Sequence, residues 1–165
     1  MSKPLVCMFL TTSLLLFACG SWPGPDGGPT PTPTATPNPT TEVKITKPRE
    51  DDKVKQTDMT KGNSQNIPSG QVIWIVVFVH KVGRYYPQNQ PADVQANGDW
   101  DSVTYFGGPR DSGLDCDAIA VLADDAGQKA FNRYLTDAKD KNDWPGLERL
   151  PDGAKIYSRV SVKRE

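Results

Sequence analysis

Gln71-Val72-Ile73-Trp74-Ile75-Val76-Val77-Phe78-Val79-His80-Lys81 decides the fold class. An unbroken apolar run from Val72 to Val79 suits either a buried strand or a segment of buried helix. Its length, its β-branched residues and the flanking glycines Gly70 and Gly83 select the strand. One face then carries Val72, Trp74, Val76 and Phe78, and the other Ile73, Ile75, Val77 and Val79. A strand apolar on both faces needs cover on both. A plain two-sheet sandwich leaves one of these faces wet, so a further element is expected against it.

Working outward, residues 42–46 alternate, with Val43 and Ile45 on one face, and Pro48 ends that short strand. Residues 53–59 read as a weak second strand, followed by the turn-rich Gly62-Asn63-Ser64 and Pro68-Ser69-Gly70. Asn97-Gly98 is a tight hairpin signal joining strands at 93–96 and 100–106. Residues 114–123 form another buried strand. A helix over about 125–138 follows, with Asp125 as its expected cap and Gln128 closing a capping box. Phe131, Tyr134, Leu135 and Ala138 make its apolar stripe. This stripe is expected to cover Ile73, Ile75, Val77 and Val79, on the face opposite Trp74. Ile156, Ser158, Val160 and Val162 alternate in a final strand.

Seven short strands, antiparallel turn chemistry and Trp74 on a central strand resemble the immunoglobulin-like fold. The usual cysteine pair of that fold is missing from this sequence. The fold class expected is therefore mainly β: an Ig-like antiparallel β-sandwich with one inserted helix, over residues 42–165. Further residues carry a second likeness. Asn66-Ile67-Pro68-Ser69-Gly70, Gly83-Arg84-Tyr85-Tyr86-Pro87-Gln88, Gly98-Asp99-Trp100 and Ile119-Ala120-Val121-Leu122-Ala123-Asp124 look like a recurring module of bacterial surface and envelope proteins. Pro145-Gly146-Leu147 and Leu150-Pro151-Asp152-Gly153-Ala154 continue it. The pattern brings no enzyme motif with it.

The other end of the sequence speaks to address. Lys3 precedes an uncharged, largely apolar run at residues 5–18. That run is shorter than the roughly 20 residues a membrane-spanning helix needs, and it fits a secretory signal over 1–18. Leu16-Phe17-Ala18-Cys19 resembles the lipobox of bacterial lipoproteins, with Phe17 bulkier than usual. The resemblance implies a lipid on the Cys19 thiol and cleavage after Ala18. Between Gly20 and Thr41 stand seven prolines, six threonines and four glycines. Proline lacks the N–H that a helix or inner strand requires. This stretch reads as a solvated tether with a reach of about 70 Å. The expected location is the bacterial cell envelope, lipid-anchored on the extracytoplasmic side, with the membrane as a partner through Cys19.

Reactive chemistry is sparse. A net charge of −1 excludes nucleic-acid binding by bulk electrostatics. His80 is the only histidine, which removes His–His metal pairs. Of three cysteines, Cys7 belongs to the signal and Cys19 to the lipid, which leaves Cys116 as an inert buried thiol on a strand. Asp111, Asp115, Asp117, Asp124 and Asp125 lack calcium-loop spacing. Asp99 and Asp101 flank Trp100 at a separation that a glycosidase pair would allow, without a cleft signal. No metal, cofactor or enzymatic activity is expected. Arg84, Tyr85, Tyr86 and Gln88 are the candidate binding residues, on a loop or edge and suited to a protein or glycan partner. Trp144, beside Pro145, is expected to pin the return loop. A structural or sensory accessory role without a ligand is the alternative, and a hydrolase using the acidic residues a more remote one.

Replacing Cys19 with serine tests the anchor. Wild-type protein is expected to partition into the detergent phase of a cell extract and Cys19→Ser into the aqueous phase. Identical partitioning would remove the lipoprotein reading.

Overall fold

A computed structural model describes residues 39–165. The expected signal, Cys19 and the tether up to residue 38 lie outside the described residues. The predicted central strand is β4 (Val72–Val79), paired antiparallel with β5 (Arg84–Pro87) on one side and β8 (Asp115–Ala123) on the other. Beyond β8 lie β9 (Ala154–Arg164) and, parallel to it, β2 (Asp52–Val54), giving the order β2-β9-β8-β4-β5. The opposing sheet contains β1 (Glu42–Lys47), β3 (Thr57–Gln65), β7 (Asp99–Tyr105) and β6 (Asp93–Val94), ordered β1-β3-β7-β6. The domain is a β-sandwich with one helix, α1 (Asp125–Lys141).

Both faces of β4 are covered, but the covers are exchanged relative to the sequence expectation. Ile73, Ile75, Val77 and Val79 face the opposing sheet and pack with Val43, Ile45, Trp100 and Phe106. Trp74 and Val76 face the helix and pack with Phe131 and Leu135. The Trp74 and Phe131 rings lie 5.2 Å apart between centroids. Two physical reasons account for the exchange. The opposing sheet already brings a large indole, Trp100, into the inter-sheet space, where an aliphatic row fits against it. The Trp74 indole also needs an acceptor, and its N–H donates to the Gln88 carbonyl at 2.7 Å.

Trp100 also explains why Gly62-Asn63-Ser64 is not a turn. Gly62 is the cross-strand partner of Trp100, within β3. A Cβ there would fall 2.1 Å from both the indole and the Lys44 carbonyl oxygen. The glycine marks a ring crossing the strand rather than a break. The predicted strand at 53–59 is two strands, because the chain leaves the five-stranded sheet after Val54 and enters the other at Thr57. β5 was expected as loop or edge and is an edge strand. In β9 the register shifts opposite Ala120 and Val121. Val160 and Val162 keep their inward positions, Tyr157 packs on the core, and Ile156 is 41% exposed. A bulge thus interrupts the expected alternation.

The helix begins one residue from its expected cap. Asp124, not Asp125, accepts from the Ala126 and Gly127 amides at 2.9 and 3.0 Å. Gln128 makes no capping box; its side chain donates to the Gly70 and Ala123 carbonyls at 3.0 and 3.2 Å. Gly127 lets the first turn approach the β8–β9 connection, since a Cβ there would lie 2.8 Å from the Gly153 oxygen. Asn142 closes the helix in the left-handed conformation. None of the helices among the described residues is long and apolar enough to cross a membrane.

Phe131 is fully buried against Trp74, so Phe131→Ala is expected to cost about 3–5 kcal/mol, through lost burial and a cavity. Met59→Ala, at an exposed position, is expected to stay within about 0.5 kcal/mol of wild type. Urea unfolding midpoints of the two variants check this, and equal midpoints would contradict the helix placement.

Candidate functional site

The four candidate binding residues lie together at the β5 edge, where the structure gives each a different role. Tyr85 points to the helix side and stacks on Phe78, centroids 4.7 Å apart. Its backbone exchanges hydrogen bonds of 2.9 and 2.8 Å with Leu147, so the return loop closes this stretch of edge. Arg84 pairs with Glu148 at 2.8 Å on the same loop. Tyr86 turns the other way, toward the space between the sheets. Gln88 is only 4% exposed and acts as an internal tie. Its carbonyl accepts from Trp74, and its amide donates to the Ile75 carbonyl at 2.9 Å. Its side-chain oxygen accepts from the Tyr105 amide at 2.7 Å, and its side-chain nitrogen donates to the Tyr86 carbonyl at 3.2 Å. It therefore links the edge of one sheet to β7 of the other.

Beside this tie the sheets part to form a groove of about 560 Å³. Val77 and Val79 contribute apolar lining; Tyr86, Tyr105 and Trp144 contribute rings. Tyr105 and Trp144 are 46% and 42% exposed. Asp111 adds a carboxylate, held by the Gly108 amide at 2.7 Å. Burial pushes the Tyr86 phenol above its ordinary pKa, opposed by the Arg84 charge and reinforced by Asp111. The phenol thus stays protonated and can donate into the groove. Trp144 packs edge-on against Tyr134, centroids 6.4 Å apart, and Tyr134 accepts from the Gly146 amide at 3.2 Å. Trp144 therefore does more than pin the return loop.

Sequence reasoning found Tyr86 but missed Tyr105 and gave Trp144 and Asp111 other roles. Tyr105 closes an alternating strand and reads there as one more outward residue. Its only further signal is the Gly107-Gly108-Pro109 break immediately after it. Trp144 and Asp111 reach the groove through loop paths that no local pattern encodes.

Asp115, Asp124, Asp99 and Asp117 each have separate local partners. Asp115 faces Lys163 at 3.7 Å, and Asp124 caps the helix. Asp99 accepts from the Asn97 side chain at 2.8 Å in the hairpin. Asp117, with its side chain only 2% exposed, accepts from His80 at 2.8 Å and Ser161 at 2.9 Å, with Arg159 3.5 Å away. Ser161 thus points its hydroxyl at the carboxylate rather than at His80. Cys116 lies in the inter-sheet core, and burial, aided by Asp117, Asp115 and Asp111, pushes its thiol up to about 11. Such a thiol stays protonated at neutral pH and is a poor nucleophile. Among the described residues, no cluster of three or more His, Cys, Asp or Glu side chains is arranged to hold a metal.

No protein-family model matches the chain, and no curated protein matches it. The reading of the groove accordingly rests on its own geometry.

Gln88→Ala removes the acceptor of a part-buried amide at Tyr105, which is expected to cost about 1–3 kcal/mol. Arg84→Ala breaks a pair with an exposed glutamate and is expected to cost at most about 1 kcal/mol. Denaturant titration of both variants checks the contrast; a Gln88→Ala midpoint equal to wild type would contradict the tie.

Proposed function

We propose that this chain is a lipid-anchored protein of the bacterial envelope whose Ig-like domain is a binding module, with the edge groove as its ligand site. The carrying observation is that Tyr86, Tyr105 and Trp144 line one groove and the last two are about half exposed. Rings that are not needed to fill the core, gathered at a concave site, are suited to contact with a protein or glycan. The domain's polarity supports this reading. Thr41 donates to the Asn66 carbonyl at 2.9 Å, and the Asn66 side chain donates to the Thr40 carbonyl at 3.1 Å. The chain thus enters the domain beside the end of β3, at Gln65. Tyr105 pairs with Thr57 at the other end of that strand. Eight residue steps at roughly 3.3 Å put the groove about 26 Å from the entry point. A domain attached through Cys19 and the tether would present such a groove away from its point of attachment.

The role proposed is binding without catalysis. His80 is engaged with Asp117 on the helix side of the five-stranded sheet, remote in role from the groove. Crosslinking capture from intact cells tests the reading. Wild type is expected to capture a partner that Tyr105→Ala/Trp144→Ala, with an unchanged unfolding midpoint, captures at least about tenfold less, equivalent to roughly 1.4 kcal/mol. Equal capture by both would overturn the groove as the binding site.

A further inference from the structure

The groove combines two features that together define a ligand chemistry. Among the described residues that line it, Asp111 carries the one charged side chain; Gln88 and Asn89 are polar, and the other large side chains are aromatic or aliphatic. A lone carboxylate in an apolar groove disfavours anions. Aromatic faces attract cations through the ring quadrupole, more strongly when the cation is desolvated.

Hydrogen-bonding demand distinguishes the candidate cations. Gln88 spends its side-chain oxygen on Tyr105 and its side-chain nitrogen on Tyr86. One Asp111 oxygen already accepts from Gly108. A primary ammonium brings three N–H donors and a guanidinium five, which the second Asp111 oxygen, the Asn89 side chain, the phenols and water at this open groove would have to share. A quaternary ammonium brings none, and its methyl groups suit Val77 and Val79 as well as the rings. We propose that the groove binds a quaternary ammonium of the choline type, its head against the Tyr86, Tyr105 and Trp144 rings and paired with the Asp111 carboxylate. The occupant is the free cation rather than its phosphate ester, because the ester would set a second anion beside Asp111. This inference rests on the reading of the groove as a ligand site and names what that site admits.

Titration calorimetry on the detergent-solubilised full chain tests it, with four probes: choline, ethanolamine, phosphocholine, and dimethylbutanol, the neutral isostere with carbon in place of nitrogen. Choline is expected to bind about tenfold or more tighter than each of the others, a difference of roughly 1.4 kcal/mol or more. Asp111→Asn should bring choline and the isostere to similar affinity, and Trp144→Leu should weaken choline with its unfolding midpoint retained. Choline binding no tighter than the isostere, or no choline binding at millimolar concentration, would overturn the proposal. If partner capture from cells still required Tyr105 and Trp144, such a result would overturn the ligand class alone. If capture were also independent of those residues, the binding reading would fall with it.

Discussion

The row Val72–Val79 has no side that tolerates water, and the domain is arranged to satisfy that demand. One face meets a second sheet, whose Val43, Ile45 and Trp100 complete the inter-sheet core. The other meets a helix through Phe131 and Leu135. The cost of leaving either face open is large, because each fully buried Val, Ile or Phe contributes about 1.5–3 kcal/mol. β8 shares the burden: seven of its residues, Ala118–Ala123 and Cys116, are buried with β4. The remaining elements are placed by this pair. β9 extends the sheet beyond β8, β5 closes the other side, and α1 spans the outer face.

The groove follows from the same constraint. β5 is short and ends at Pro87, which has no N–H to donate, and beyond it the chain is held to β4 by the Gln88 and Ala92 amides on the Ile75 and Ile73 carbonyls. Gln88 takes over with hydrogen bonds to both sheets. Next to that tie the buried Val77 and Val79, paired with Tyr86 and Arg84 of β5, form the inner wall of the groove. The aromatic side chains gather where the sandwich closes incompletely. A feature needed for stability, the buried Gln88, thereby fixes the position of a feature suited to binding.

What could be read from the sequence divides along physical lines. β4, β8, the Asn97-Gly98 hairpin and the helix stripe are local patterns, and each appears where its pattern lies. The choice of face for Trp74 is a tertiary matter. Periodicity separates the two faces of β4 but carries no information about which partner covers each. Gly62 misled because a glycine in a polar stretch signals a turn, whereas here it makes room for the Trp100 indole on the neighbouring strand, which lies far along in sequence. At the candidate site, Tyr86 was legible from its place beside the central strand. Gln88 shared that place, and only the structure shows that it spends its polar groups on four internal hydrogen bonds beside the groove it helps to line.

Double-mutant cycles across the five-stranded sheet test the central claim most directly. Trp74 and Phe131 share the helix-side core, so a cycle between them should give a coupling of about 0.5–1.5 kcal/mol. Trp100 lies on the other side of the sheet, so Phe131 and Trp100 should be additive within about 0.3–0.5 kcal/mol. Strong coupling of Phe131 to Trp100 together with additivity between Phe131 and Trp74 would contradict the account, because it would put the helix on the wrong face of β4.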